Sequence, residues 1–376
     1  MRAKQLILVL TLFAATLTVR ANDTPLLIEL ERRSGALAYE VNAAGTTVVG
    51  TFEDGSGGFY WMPTTGVVFI GGDLASGVSR DGRTIVGGAR DARRIQQAGI
   101  WLRGTEWRLL GGLTPSTVPC QFQLSSGVDV SDNGQVVVGN AYAGTPAAPC
   151  SQARAFRWEE STGMIDLGTL VPGLGSAARG VSGDGSVVVG LQEMSGPSLA
   201  RVGARWVGGR EELMPAAAGA LGILPGIAHA ANHDGSIIVG EICLPGAREP
   251  ALFQSAWIWT ARDGTQCLPA PAPRVLEGVG NDAPIIVRAL GTSEDGRIVV
   301  GEQGVGTVDT DAIIWIDRTP HYLKDYLREN GIPDAFQGWP RTGSLPDVTP
   351  DGRILVGWGA APGGFRGYIV ILGEKP

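Results

Sequence analysis

The sequence is poor in charge, in aromatic residues and in histidine. Of its 376 residues only 18% are Asp, Glu, Lys or Arg, 7% are aromatic and three are His. Low charge beside 44% hydrophobic residues excludes a disordered chain, which cannot bury enough apolar surface to fold. A net charge of −7 argues against a basic surface for nucleic acid. There are only four Cys, none at the close Cys or His spacing of a zinc site. No GxSxG elbow marks a nucleophile. No glycine-rich stretch ends in GK[ST], and no loop carries the alternating Asp or Asn of a calcium hand. Past the first 21 residues no apolar run is long enough to cross a membrane.

What abounds is glycine and proline, with 57 and 23 residues. An interior Gly costs a helix about 1 kcal/mol and a Pro about 3, so a mainly helical fold is excluded. Many short strands joined by tight turns fit this composition.

Residues 1–21, MRAKQLILVLTLFAATLTVRA, have a basic start at Arg2 and Lys4, an apolar stretch from Leu6 to Val19, and Val19 and Ala21 at the −3 and −1 positions of a cleavage site. This pattern reads as a secretory signal peptide, leaving 22–376 as the mature chain. Loss of Arg2, Lys4 and Arg20 takes the charge from −7 to −10. No Cys lies near the cleavage site, and Gly373–Pro376 carries no hydrophobic sorting tail. The expectation is therefore an exported protein, extracellular or periplasmic, with no membrane attachment after cleavage. In an oxidising compartment four Cys are plausibly two disulfides: Cys120 with Cys150 and Cys243 with Cys267.

Internal repeats decide the architecture. Seven segments share one pattern: VNAAGTTVVG (41–50), VSRDGRTIVG (78–87), VSDNGQVVVG (130–139), VSGDGSVVVG (181–190), ANHDGSIIVG (231–240), TSEDGRIVVG (292–301) and VTPDGRILVG (348–357). The turn glycines are Gly45, Gly82, Gly134, Gly185, Gly235, Gly296 and Gly352. Each precedes a closing glycine by five residues, and each follows by three a Ser, Thr or Asn. Asp-Gly and Asn-Gly tolerate the positive φ of a tight hairpin. The hydroxyl or amide can hold the turn amides. The Val- and Ile-rich run that follows is a buried strand. The closing Gly leaves room for a bulky neighbour. A candidate follows downstream, in a second motif ending at Trp61, Trp101, Trp158, Trp206, Trp259 and Trp315, with Val370 in the seventh copy. A fourth apolar stretch follows each of the first six copies.

Each unit thus reads as strand, turn, strand, loop, Trp strand, turn, strand. Four strands per unit, spaced 37 to 61 residues apart, fit a propeller blade better than the shorter coil of a β-solenoid. The seventh unit lacks a fourth strand, and LLIELE (26–31), which resembles MIDLGT (164–169), can supply it. The reading is a seven-bladed all-β propeller whose N-terminal strand completes the last blade and leaves no open edge. Six or eight blades are not excluded. HYLKDYLRENG (321–331) places Leu323, Tyr326 and Leu327 at helical spacing, which predicts one short helix packed near 321–330.

The VSxDGxxVVG hairpin, the AFRW strand ending at Trp158 and MIDLGTL (164–170) resemble the HAF repeat of bacterial proteins taken to be extracellular. AFRW carries the Ala-Phe part, and no copy has the His. The resemblance covers nearly the whole mature chain. It implies an exported β-rich repeat protein and brings no catalytic residue with it.

The search for chemistry yields little. His233 sits in a DG turn where the other units hold varied residues, so it reads as a turn filler. His229 and His321 are isolated. Glu159-Glu160 and Glu211-Glu212 follow Trp strands and read as solvated turn charges. No catalytic residue, metal or cofactor is expected. A four-strand meander puts the DG turns and post-Trp turns on one plain face. The long segments fall on the other: 111–126, 140–154, 169–179, 241–254, 270–289, 302–311, 332–346 and 358–365. Cys120, Cys150 and Cys243 lie there, while Cys267 lies in a fourth strand, so its bridge has to reach past the third. Loops on a rigid scaffold carry ligands, and Phe122, Tyr142, Phe253 and Trp339 are the aromatic candidates. The expected role is a monomeric binding module for a protein or glycan. The alternative is a secreted polysaccharide hydrolase or lyase with acidic residues in the central funnel.

Overall fold

The computed structural model describes residues 25–373, except 31–34, 114–122, 146–147, 196–199, 220–222, 244–252, 273–284 and 306–308. Among these the chain forms 28 strands and one helix. β1 (Leu26–Glu29) stands alone before the first meander of β2 (Ala36–Val41), β3 (Val48–Phe52), β4 (Gly58–Met62) and β5 (Gly66–Gly71). The second meander holds β6 (Leu74–Val78), β7 (Thr84–Arg90), β8 (Gln96–Leu102) and β9 (Trp107–Leu109). The third holds β10 (Ser125–Val130), β11 (Val137–Thr145), β12 (Ala148–Glu159) and β13 (Gly163–Asp166), and the fourth β14 (Ser176–Val181), β15 (Val187–Met194), β16 (Ala200–Val207) and β17 (Arg210–Leu213). Then come β18 (Ala228–Ala231), β19 (Ile237–Cys243), β20 (Phe253–Thr260) and β21 (Gly264–Cys267), followed by β22 (Ile285–Thr292), β23 (Ile298–Val305), β24 (Asp309–Ile316) and β25 (Thr319–Tyr322). Helix α1 (Leu323–Glu329) leads to β26 (Arg341–Val348), β27 (Ile354–Ala361) and β28 (Gly364–Ile371).

Five of the resulting sheets have four antiparallel strands. One of them is ordered β1-β28-β27-β26, so the N-terminal strand does complete the last meander. The sixth sheet is mixed and has eight strands. In it β22 pairs parallel with β20 and bridges β19 at Glu241↔Arg288. The cause lies in β19, whose register shifts between Gly240 and Cys243 while Ile242 takes φ 63°, a conformation rare for a β-branched residue.

The sheets stand around an axis with their first strands innermost. Apolar layers fill the spaces between neighbours. Val86, Ala98 and Ile100 of the second meander meet Val137, Phe156 and Trp158 of the third. Val138 and Ala155 of the third meet Val188, Ala204 and Trp206 of the fourth. The circle closes where Val356 and Ile369 of the last sheet meet Val48 and Phe59 of the first. This is a β-propeller arrangement. Each buried Trp packs on the preceding sheet.

The hairpins explain why the repeat is spelled as it is. All seven turn glycines have φ between 66° and 78°. The Asp before them does not share that conformation. Its carboxylate instead accepts the backbone N–H two residues on, as Asp184 does from Ser186 at 2.8 Å. The Ser, Thr or Asn side chain accepts the N–H five residues on, from Asn42 (Thr47, 2.8 Å) to Thr349 (Ile354, 3.0 Å). Each turn glycine also backs onto the previous hairpin: a Cβ at Gly185 would lie 2.9 Å from Val136, and one at Gly352 2.8 Å from Ile298. Gly45 backs onto Ile354, so the hairpins touch in a complete circle.

Three expectations need correction. Several closing glycines do leave room for a ring (Phe59 at Gly50, Phe156 at Gly139, Trp257 at Gly240, Tyr368 at Gly357), but not for the motif Trp, which pairs two residues away, as in Val137↔Trp158. A Cβ at Gly50, Gly139, Gly190 or Gly301 would fall onto a backbone carbonyl of the inner strand (Leu37, Ser126, Ala177 and Arg288). The inner strand bulges at this point, for instance between Ala178 and Gly180, and the glycine makes room for it. Segments 140–154, 302–311 and 358–365 are not loops throughout. The second and third strands go on pairing across them, to Thr145↔Ala148, Val305↔Asp309 and Ala361↔Gly364. Trp339 is not a surface aromatic. It is 5% exposed and stacks edge-on against Phe336 and Tyr368, in the layer that also buries Leu323, Tyr326 and Leu327 of α1.

Candidate functional site

The bulge places one residue from every inner strand on the central channel. Tyr39, Ser76, Val128, Arg179, His229, Leu290 and Pro346 all line it, in a cavity of about 340 Å³. The next residue along is an acid in three strands: Glu40, Asp129 and Asp347. In the others it is Gly77, Gly180, Ala230 and Gly291. Each acid reaches to the following sheet and accepts a backbone N–H: Glu40 from Val78 (3.0 Å), Asp129 from Val181 (2.8 Å) and Asp347 from Val41 (2.9 Å). Gly77 and Gly291 lie where the neighbouring strand comes close, at Asp129 and Asp347.

Burial raises all three acids. Asp347 is pushed up to about 7, with a further contribution from the Asp129 charge. Asp129 is pushed up to about 6, and the N–H groups of Val181 and Val130 offset part of the rise. Glu40 is raised well above the usual carboxylate range by burial and by the charges of Asp129 and Asp347. At neutral pH the three cannot all be ionised. Among the described residues no group of three or more His, Cys, Asp and Glu could hold a metal ion.

Polar contacts link neighbouring hairpins at the DG-turn mouth of the channel. His233 Nδ1 lies 2.7 Å from Asp132 Oδ2, 101 residues away, with Gly183 between them. Arg80 pairs with the same oxygen at 3.1 Å, and the His233 N–H donates to Glu294 at 3.0 Å. His233 is therefore a cross-channel tie, not a turn filler. Turn spacing put it at the mouth; nothing in the sequence showed that Gly183 lets it reach Asp132.

The long-loop end is different. His229 Nε2 lies 3.3 Å from Glu241, Arg288 pairs with Glu241 and Glu302 at 2.6 Å each, and Arg341 reaches Asp311 at 3.2 Å. Beside this network a cleft of about 220 Å³ opens between the third and fourth sheets, lined by Gln123, Asn140, Tyr142, Arg179, Glu193 and Arg201 among others. Glu211 is another surprise. Its carboxyl oxygens are buried without hydrogen-bond partners among the described residues, and burial pushes it up to about 7. Glu212 pairs with Arg205 at 2.8 Å and stays partly exposed. Glu211 is therefore not the solvated turn charge the sequence implied.

Of the aromatic candidates, Tyr142 is half-buried in the cleft wall. Phe122 lies outside the described residues. Phe253 begins β20, paired to Ile285, and its side chain lies outside them too. Cys243 and Cys267 form a disulfide that reaches from β19 past β20 to β21, with Cα atoms 5.5 Å apart. Cys150 is disulfide-bonded; its expected partner Cys120 is not among the described residues. No helix of the described residues is long and apolar enough to cross a membrane, and residues 1–21 lie outside them.

No protein-family model matches the chain, and no curated protein matches it in sequence. Solved structures do. An oligogalacturonate lyase in complex with manganese has 14% identity and a TM-score of 0.52, over 95% of this chain and 99% of that one. The β-propeller domain of the trilobed protease from Pyrococcus furiosus has 8% identity and a TM-score of 0.49, over 91% and 95%. TolB from Acinetobacter baumannii has 12% identity and a TM-score of 0.44; the match covers 76% of this chain and spans 61% of the TolB chain. At these identities the likeness is one of fold alone.

Proposed function

We propose that this chain is an exported seven-bladed propeller that binds a protein or glycan through its long-loop face and does no catalysis. The count takes the eight-stranded sheet as two blades, one for each DG hairpin in it. The export reading rests on residues 1–21 and is supported by the Cys243–Cys267 disulfide. One observation carries the binding reading. The channel acids are committed to backbone N–H groups of neighbouring sheets, while the loop-face cleft holds two exposed arginines with no partner among the described residues. A binding surface keeps its polar groups free for the ligand; a scaffold uses its own up.

A second reading has its own observation. Glu40 and Asp129 interact electrostatically in a channel where both are raised, which suits a general acid. The two readings separate in one assay. Purified mature protein is passed over envelope and environmental polysaccharides and immobilised envelope proteins, while retention and new reducing ends are recorded. Retention without new ends supports the binding module. New ends, lost in Asp129→Asn, overturn it.

A further inference from the structure

The cleft between the third and fourth sheets contains two arginines that the fold does not use. Arg179 comes from the bulge of β14 and Arg201 from β16. Both are exposed, and neither makes a hydrogen bond or ion pair with the described residues. Arg179 opens to the lumen, yet protein surrounds it: burial lowers its pKa, Glu241 opposes that, and the like charge of Arg201 adds to it. Glu241 is already committed to Arg288 and faces His229. Two guanidinium groups lining one cleft repel each other, and the planar fork of each is open to an incoming acceptor. Asn140, in the same wall, has a buried side-chain oxygen with no partner among the described residues. The fold has placed two uncommitted cations and one unsatisfied amide around one opening.

From this juxtaposition, and resting on the binding-module reading, we propose that the cleft binds the carboxylate of a hydroxylated monoanion the size of one acidic sugar ring, with Arg179 and Arg201 clamping the carboxylate. Charge and size set the class. Glu193 on the same wall accepts the Gly175 N–H at 3.0 Å, and beside two arginines it leaves one net positive charge, which matches one carboxylate. The volume of about 220 Å³ exceeds what a bare ion fills. Gln123 and Asn140 offer amides to hydroxyl groups, and the half-buried Tyr142 offers a ring. The source is either a free sugar acid or a uronic acid unit of a glycan.

The test is calorimetric titration of the mature protein at constant ionic strength with glucuronate, an oligomer of uronic acids, glucose and inorganic sulfate. The expected result is binding of glucuronate or the oligomer, none of glucose, and sulfate weaker than either. Tighter binding of the oligomer identifies a glycan source; equal or tighter binding of the monomer identifies a free acid. Arg179→Gln and Arg201→Gln each weaken binding by about tenfold or more, and Arg179→Lys recovers less than full affinity. Melting curves show that the variants fold. No binding of any uronate, or affinity unchanged in both Gln variants, overturns the proposal. Glycan or protein retention that survives in both variants sinks the carboxylate site alone; no retention and no titration signal sinks the binding-module reading with it.

Discussion

The two faces of this propeller are built from the same repeats and use them differently. On the DG-turn face each hairpin is a near copy of the others. Its hydroxyl, carboxylate and glycine are all consumed by the turn, and its glycine seats on the previous hairpin. Adjacent turns exchange backbone hydrogen bonds, as from Arg80 to Asp132 and from Asp132 to Gly183. On the long-loop face no two connections are alike, and charges are left over. A closed ring needs only one face to be regular. The other is then free to vary without loss of closure.

Substitutions can break that comparison, and the largest effect lies in the inner seam. Gly301→Ala puts a methyl onto the Arg288 carbonyl, and since backbone cannot swing aside it costs about 3 kcal/mol or more. Gly173→Ala on the long-loop face meets a positive φ, of 85°, but nothing within 4 Å, so its cost is about 1 kcal/mol. Urea melts of the two variants measure the difference. Next is the channel. Folding raises Asp129 to about 6 and Asp347 to about 7 from an ordinary 3.8. The folded chain therefore holds protons that the unfolded chain releases. The stability they contribute is complete below about pH 4 and is lost as pH rises through 6 and 7. Asp347→Asn keeps an acceptor for the Val41 N–H and removes the charge, so the fall in melting temperature between pH 5 and 8 becomes shallower. A pH series of thermal melts reads this directly.

Ser182→Ala removes an acceptor from the Val187 N–H and a donor to Asp184. It costs about 1 to 2 kcal/mol by denaturant titration, the value of a buried turn bond left unmade. The smallest effect sharpens the contrast from the opposite side. Arg179→Gln leaves stability unchanged or raises it by a few tenths of a kcal/mol, because the side chain has no partner to lose and a like charge beside it. A loss of 2 kcal/mol there would show that the cation serves the scaffold after all.

The regular face was legible in the sequence because its chemistry is local. A Ser, an Asp and a Gly within four residues fix a turn wherever they occur, and seven in-phase copies fix the repeat. The channel was not legible. Glu40, Asp129 and Asp347 each stand five residues before a turn glycine, but the other four units hold Gly77, Gly180, Ala230 and Gly291 there, so the repeat does not mark the position as acidic. What unites them is the bulge, whose only trace is the closing glycine ten or eleven residues on. The sequence reading took that glycine as space for a tryptophan. Trp339 misled for a related reason. An aromatic in a long segment is exposed only if the segment is, and this one folds back beneath α1 onto Tyr368. Arg179 gave no signal, since a lone arginine in a β-rich stretch is ordinary until its neighbours are known.

The pairing of β1 with β28 joins Leu26 to Ile371, and it sets an order in time. Every other meander can form as soon as its own residues are present. The last sheet has to wait until β1 and β28 meet. Until then two sheet edges stay bare and the circle stays ajar, so the final step of folding is a clasp between two distant strands. A contact of such large sequence separation forms slowly, and the ring gains its full rigidity only once it is made.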